Sequence, residues 1–236
     1  LNLINRSIKF AAMDERQAKS REGRSDATRN ALLMAALDLF GRHGFEGTST
    51  RAIAAAADAN IGSIAYHFGG KDGLRAACSQ FVVDTVRSIA GPAVGLAEGP
   101  EAGPEAAAER LVHTIRTVVH FLVAGRVAPE LVQFVLREIS HPGPVVDTIY
   151  AGVFEPVHKR LCQLWEQATG EPAESEDTRI AVFTMIGQAV YLRLGREIVK
   201  RRMGWEGIGA EEAEKLAAVA SRNARAMIQS RRKAGP

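Results

Sequence analysis

The sequence predicts an all-α chain: an N-terminal three-helix helix-turn-helix domain followed by a larger C-terminal helical domain. Three observations lead there. From about residue 25 to residue 230 the apolar residues recur at helical spacing, and no convincing strand or repeat interrupts them. Alanine is abundant and aromatics are only 6% of the chain, which favours helices. The stretch Thr48 to Leu74, TSTRAIAAAADANIGSIAYHFGGKDGL, reads as a helix, a tight turn, a short second helix and an exit loop.

In chain order, residues 1–24 read as a solvated basic arm carrying Arg6, Lys9, Arg16, Lys19, Arg21 and Arg24. Arg21 or Arg24 is placed to reach a minor groove if the domain beside it binds DNA. Ser25 or Asp26 is expected to cap a helix running to about His43, with Leu33, Ala36, Leu37 and Phe40 at i, i+3, i+4 and i+7. Gly44 ends it, with Arg42 and His43 at the negative end of the helix dipole.

Residues 25–74 are expected to form a helix-turn-helix DNA-binding domain. Ser49 or Thr50 can cap the first helix of the motif, whose apolar stripe is Ile53, Ala54 and Ala57. Alanines at 54 to 57 leave little side-chain bulk, so a second helix can cross closely. Asp58-Ala59-Asn60 supplies turn chemistry, and Ile61 is expected to be an apolar plug beside it. Gly62 to Phe68 is too short to fold alone and must lean on the preceding helix. In that layout the second helix enters the major groove of DNA. Thr50, Arg51, Ser63, Tyr66, His67 and Lys71 cluster donors around the two helix starts and the exit, where such groups hold phosphate oxygens. Gly69-Gly70 frees backbone N–H groups just before Lys71. The competing reading is an ordinary αα-corner that never touches DNA.

On these residues the segment resembles the DNA-binding domain of TetR-family transcriptional regulators. Thr50, Arg51, Ile53, Ala54, Tyr66, His67, Phe68, Lys71, Asp72 and Leu74 carry the likeness. Two positions depart from the family pattern. Asp58 stands in the turn where glycine is usual, and Ala65 stands where the first of two adjacent aromatics is usual.

Residues 75–236 are expected to form the helical effector-binding and dimerisation domain. Asp72 to about Ala90 is a helix suited to act as a lever, with Leu74, Cys78, Phe81, Val82 and Thr85 on one side. Gly91 to Pro104 reads as a surface loop. Glu105 to Ala124 carries Leu111, Ile115, Val118, Val119 and Leu122, spaced for a buried face. Pro129 opens a shorter helix that ends before His141-Pro142-Gly143-Pro144. Val145 to Ala168 should kink at Pro156. Thr178 to Arg202 aligns Ile180, Phe183, Gly187, Tyr191, Leu194 and Ile198, and Ala210 to Ser230 aligns Leu216, Val219, Asn223 and Met227.

Within this half, Arg137-Glu138-Ile139-Ser140, Pro156, Arg193-Leu194-Gly195 and Gly204-Trp205 resemble the C-terminal domain of CecR-type TetR regulators. The resemblance implies a homodimer paired through the last two long helices, with Gly187, Tyr191, Gly195, Leu216 and Asn223 at the interface. It also implies a pocket for a small, apolar effector among the central helices. Phe121, Phe134, Arg137, Glu138, Tyr150, His158, Trp165, Phe183 and Tyr191 are the candidate lining; core packing competes at each, and a salt bridge competes at Arg137-Glu138. A palindromic operator bound by the free dimer, and released by the effector, is the expected mode of action.

Charge supports the division. Residues 1–75 hold 11 Lys/Arg against 8 Asp/Glu, so the net +3 of the chain lies in its first third. A polyanionic partner, double-stranded DNA, explains that asymmetry. No apolar run approaches the ~20 residues of a membrane helix, and the opening LNLINRSIKFAAM lacks the sustained apolar core of a secretory signal. Met13 is a candidate start residue. Cys78 and Cys162 are distant and form no Cys-x-x-Cys pair, which fits buried thiols in a reducing cytoplasm. His113, His120, His141 and His158 make no metal pattern, the 91–103 loop is no phosphate loop, and no carboxylate pair has catalytic spacing. No cofactor, metal site or enzymatic activity is expected. A ligand-binding or interaction protein without DNA binding is the alternative.

Overall fold

The computed structural model describes residues 2–124 and 129–232, with residues 2–22 as backbone alone. Its elements are α1 (Asn2–His43), α2 (Thr50–Ala56), α3 (Gly62–Phe68), α4 (Lys71–Val94), α5 (Pro104–Ala124) and α6 (Pro129–Ser140). After these come α7 (Val146–Ile149), a π-helical turn (Tyr150–Phe154), α8 (Glu155–Thr169), α9 (Glu176–Leu194), α10 (Arg196–Met203) and α11 (Ala210–Arg231). Among the described residues there is no strand, as the periodicity predicts.

The chain divides into two compact units, Leu1–Ser79 with Gln133–Pro142, and Gln80–Val132 with Gly143–Pro236. In the first, the predicted α1 stripe of Leu33, Ala36, Leu37 and Phe40 is buried together with Leu32. It packs with Ile53 and Ala54 of α2, Ile64 of α3, and Leu74 and Cys78 of α4. The second half of α6 completes this unit, although the sequence reading assigns it to the C-terminal half. Phe134 is fully buried there, its ring 6.5 Å from that of Phe40.

The start of α1 corrects an expectation. Ser25 and Asp26 lie inside the helix rather than capping it, so residues 2–24 continue α1 in place of a separate solvated arm. No proline interrupts AAMDERQAKSREGR, most of these residues are good helix formers, and Thr28 returns its hydroxyl to the Arg24 carbonyl at 2.9 Å. The side chain of Arg21 lies outside the described residues.

In the second unit α5 is the central helix. Leu111, Ile115 and Val119 meet Leu161, Leu164 and Trp165 of α8, Val182 and Met185 of α9, and the alanines 213, 217, 220 and 224 of α11. The alanine face lets α11 lie close along α5. Three expectations change here. First, α4 runs through Pro92 to Val94, so the loop shrinks to residues 95–103. Arg160 anchors that loop by donating to the Val94 and Gly99 carbonyls at 3.2 and 3.0 Å. Second, the kink expected at Pro156 is a full π-turn. Glu155 donates its N–H to the Tyr150 carbonyl, five residues back, because Pro156 has no N–H for the carbonyl of Gly152 and its ring crowds it. Third, Thr178 to Arg202 is two helices, broken at Gly195.

On α9 and α11 the faces buried within the unit are not the ones that carry the larger aligned residues. Thr178, Ala181, Val182, Met185 and Ala189 are the inward side of α9. Ile180, Phe183, Tyr191, Leu194 and Ile198 point outward, as does Val219 of α11. The aligned larger residues are thus the stripe this unit leaves uncovered, and the small ones form the core.

Candidate nucleic-acid interface

Local chemistry builds the motif. Ser49, the first of the two candidates, is the cap of α2; its Oγ accepts from the Ala52 N–H at 3.1 Å. Behind it Thr48 is buried, and its hydroxyl donates to the Gly44 carbonyl at 2.7 Å, pinning the approach to α2 onto the end of α1. Asp58 adopts φ +49° in the turn, alone among the described non-glycine residues in having positive φ. This explains why glycine suits the position, and a short polar side chain is among the few that tolerate it. Asn60 Oδ1 accepts from the Gly62 N–H at 2.8 Å and starts α3. Gly69, at φ +73°, ends α3 by donating to the Ala65 carbonyl.

α3 seats itself on Ile64 alone, which is buried, with Phe68 half-buried beside it. Its other face is open: Tyr66 is 81% exposed, and its ring meets the edge of His67 at 4.9 Å. Arg51 is exposed on α2, while Thr50, Ser63, His67 and Lys71 are half-buried. All six residues read as DNA contacts therefore lie in the first unit, on α2, on α3 and at the start of α4. Ile61 is not the apolar plug expected of it. It is 46% exposed, because Ile64 already fills the space against α1 and α2.

One feature of the site has no periodic signal in the sequence. The Phe45 ring carries Lys71 Nζ at 4.1 Å and the Arg75 guanidinium at 4.7 Å, and Arg29 lies over Phe68 at 5.3 Å. These cation–π contacts hold long, mobile cations in place near the exit of α3. Only a phenylalanine directly after the helix-ending Gly44 hints at such a platform. Arg75 is also paired with Glu138 of α6 through two bonds of 3.0 and 2.6 Å, both side chains largely buried. Burial and the Glu138 carboxylate together push the Cys78 thiol well above its ordinary range.

Among the described residues, those read as an effector pocket fall in different surroundings. Phe121 lines an open groove of about 390 Å³ with Ile89, His113, Arg116, Thr117 and His120. His158 stacks on Phe183 at 3.9 Å. Tyr150 and Tyr191 are exposed, and Trp165 is a core residue donating to Glu171 at 2.9 Å. Phe134 and Arg137 belong to the first unit, Arg137 lying against Gly44. Helical spacing tells which residues share a face, but not which faces turn towards each other. Of the residues read as a dimer interface, Gly187, Tyr191 and Asn223 are exposed and Leu216 is half-buried. Asn223 donates to Gln188 at 2.8 Å and so links α11 to α9 on that side. Gly195 is buried at the helix break.

Known proteins show both halves. Residues 32–78 match the family model "Bacterial regulatory proteins, tetR family", and residues 107–231 match "HTH-type transcriptional dual regulator CecR, C-terminal domain". The HTH-type transcriptional dual regulator CecR of Shigella flexneri is 32% identical over 197 residues, covering 81% of this chain and 86% of that protein. Among solved structures, AibR in complex with isovaleryl coenzyme A and operator DNA superposes with a TM-score of 0.61 at 21% identity, covering 82% of this chain and 96% of the other. The SmeT–triclosan complex gives 0.57 at 18%, covering 85% and 90%. At those identities the two structures speak for the fold. By its sequence relatives, this chain belongs to the TetR family of transcriptional regulators, which are not enzymes, and it carries a CecR-type C-terminal domain.

Proposed function

We propose that the protein is a ligand-responsive repressor in the bacterial cytoplasm, binding a palindromic operator as a homodimer and released by a small apolar effector. The observation that carries this reading is the open face of α3, with Tyr66 fully presented and Arg51, Ser63, His67 and Lys71 arranged around it. Those groups suit phosphate contacts on either side of a helix lying in the major groove. Thr50 joins them at the start of α2. A seven-residue helix spans too few base pairs to specify a site alone, so two copies reading two half-sites are required.

The outward stripe of Ile180, Phe183, Tyr191 and Leu194 of α9 and Ile198 of α10, with Val219 and Asn223 of α11, supports pairing of these helices with their copies. For the effector, the solved relatives AibR and SmeT are described with isovaleryl coenzyme A and with triclosan. We assign a comparable role to the second unit, with Phe121, Tyr150 and His158 as candidate contacts. Control is a population shift: a ligand favouring an arrangement whose recognition helices miss successive grooves drains the DNA-competent state by its differential affinity. α4 contributes residues to both units and is the natural lever.

Selection of genomic fragments by the purified protein, followed by gel-shift titration with a compound panel and a transcription assay, tests the reading. Compounds that raise the melting temperature should lower operator affinity and relieve repression. Stabilising compounds that leave the operator complex untouched, or transcription that rises on binding, would overturn the effector or the repressor assignment respectively.

A further inference from the structure

We infer that Ile61 and Ala65 read thymine methyl groups in the operator through an apolar patch on the outer face of α3. The inference rests on the DNA-binding reading above and adds what that helix selects.

The geometry is that of one helical arc. Ile61 already has helical angles, φ −57° and ψ −34°, as the cap of α3. Ile64 is buried, and Ser63, His67 and Phe68 are half-buried. Ile61, Gly62, Ala65 and Tyr66 are exposed, and at 100° per residue these four share one side, with Ile61 and Ala65 neighbours at i and i+4. An exposed isoleucine here does not serve the core, which Ile64 completes.

The chemistry of the arc is unusual for a base-reading surface. Guanine and adenine are read in the major groove by bidentate Arg, Lys, Asn or Gln side chains. The outer arc of α3 has none of these. Asn60, the nearest amide, uses its oxygen on the Gly62 N–H at 2.8 Å. Lys71 lies over the Phe45 ring, and Arg51 belongs to α2. Beyond the Tyr66 hydroxyl, the arc meets base edges with hydrocarbon. The complementary group in the major groove is the C5 methyl of thymine, whereas a guanine or adenine edge facing Ile61 would lose water without gaining a partner. With only a methyl group at Ala65, one turn on, the Ile61 side chain is left uncovered for this contact.

The test uses the full-length protein and the fragments it selects. Thymines are replaced one at a time by deoxyuridine, which lacks only the methyl group. At one or two positions per half-site the affinity should fall about four-fold, the equilibrium equivalent of ~0.8 kcal/mol for a methylene-sized group left in water. Ile61→Ala, with unchanged circular dichroism and melting temperature, should bind more weakly and show no further loss on uracil replacement at those same positions. A flat uracil scan, or a penalty that survives Ile61→Ala, overturns the inference and leaves DNA binding standing. Failure to retain any fragment at low ionic strength overturns both.

Discussion

At the scale of single residues, Tyr66 and Arg51 are the proposed DNA contacts that the fold itself uses least. Tyr66 and Arg51 touch little of their own unit, so Tyr66→Ala and Arg51→Ala should leave the melting temperature unchanged. Loss of one phosphate contact at Arg51 should weaken binding to all sequences and lower the slope of log K against log salt by about 0.9 in B-DNA. A salt titration of the two variants checks both outcomes. Asp58 is the opposite kind of residue. Its φ of +49° penalises a Cβ-branched substitute, so Asp58→Val should destabilise by about 1–2 kcal/mol, while Asp58→Gly should be neutral or better in denaturant unfolding. The thiols add a dependence on pH. Burial raises Cys162 from an ordinary 9.0 to about 11, so the folded chain keeps that proton longer than the unfolded one. The contribution is complete below pH 9 and falls away as pH climbs towards 11; melting temperatures across that window should decline less steeply in Cys162→Ala.

Elements carry the next set of consequences. The π-turn at Tyr150–Phe154 brings Gly152 against α4, where an added Cβ would lie 2.7 Å from both methyl groups of Val83. Gly152→Ala should therefore destabilise by about 1–3 kcal/mol, and Val83→Ala should recover part of that loss in a double-mutant cycle. The Arg75–Glu138 pair ties α6 to α4 within the first unit. Glu138→Ala leaves a mostly buried guanidinium unpaired and should cost about 3 kcal/mol, more than replacing both residues by apolar ones of similar size. Equilibrium unfolding of the single and double variants decides it. Neither feature is visible in helical spacing. Pro156 announces a distortion, but only the packing of Gly152 on Val83 shows what the distortion accommodates.

For the whole molecule, the decisive feature is the apolar stripe that α9, α10 and α11 leave open. Leu194→Asp or Ile198→Asp removes apolar surface without touching the core, so far-ultraviolet circular dichroism should be retained while sedimentation shows a monomer. Operator affinity should then fall at least about a hundred-fold, because each half-site is bound without its tethered neighbour. A dimer that survives both substitutions would place the interface elsewhere.

The order of the helices, the apolar stripe of α1 and the helix-turn-helix were legible in the sequence, because periodicity, caps and turn residues act over a few positions. So were the start of α6 at Pro129, the distortion before Pro156 and the end of α10 at Gly204. Tertiary structure alone decided which stripe of α9 and α11 faces inward, since an alanine face buries as readily as a leucine face when helices approach closely. It also decided that α6 joins the first unit through Phe134 and Glu138, and that Ile61 looks outward. Those outcomes depend on partners distant in the chain, and local spacing holds no record of them.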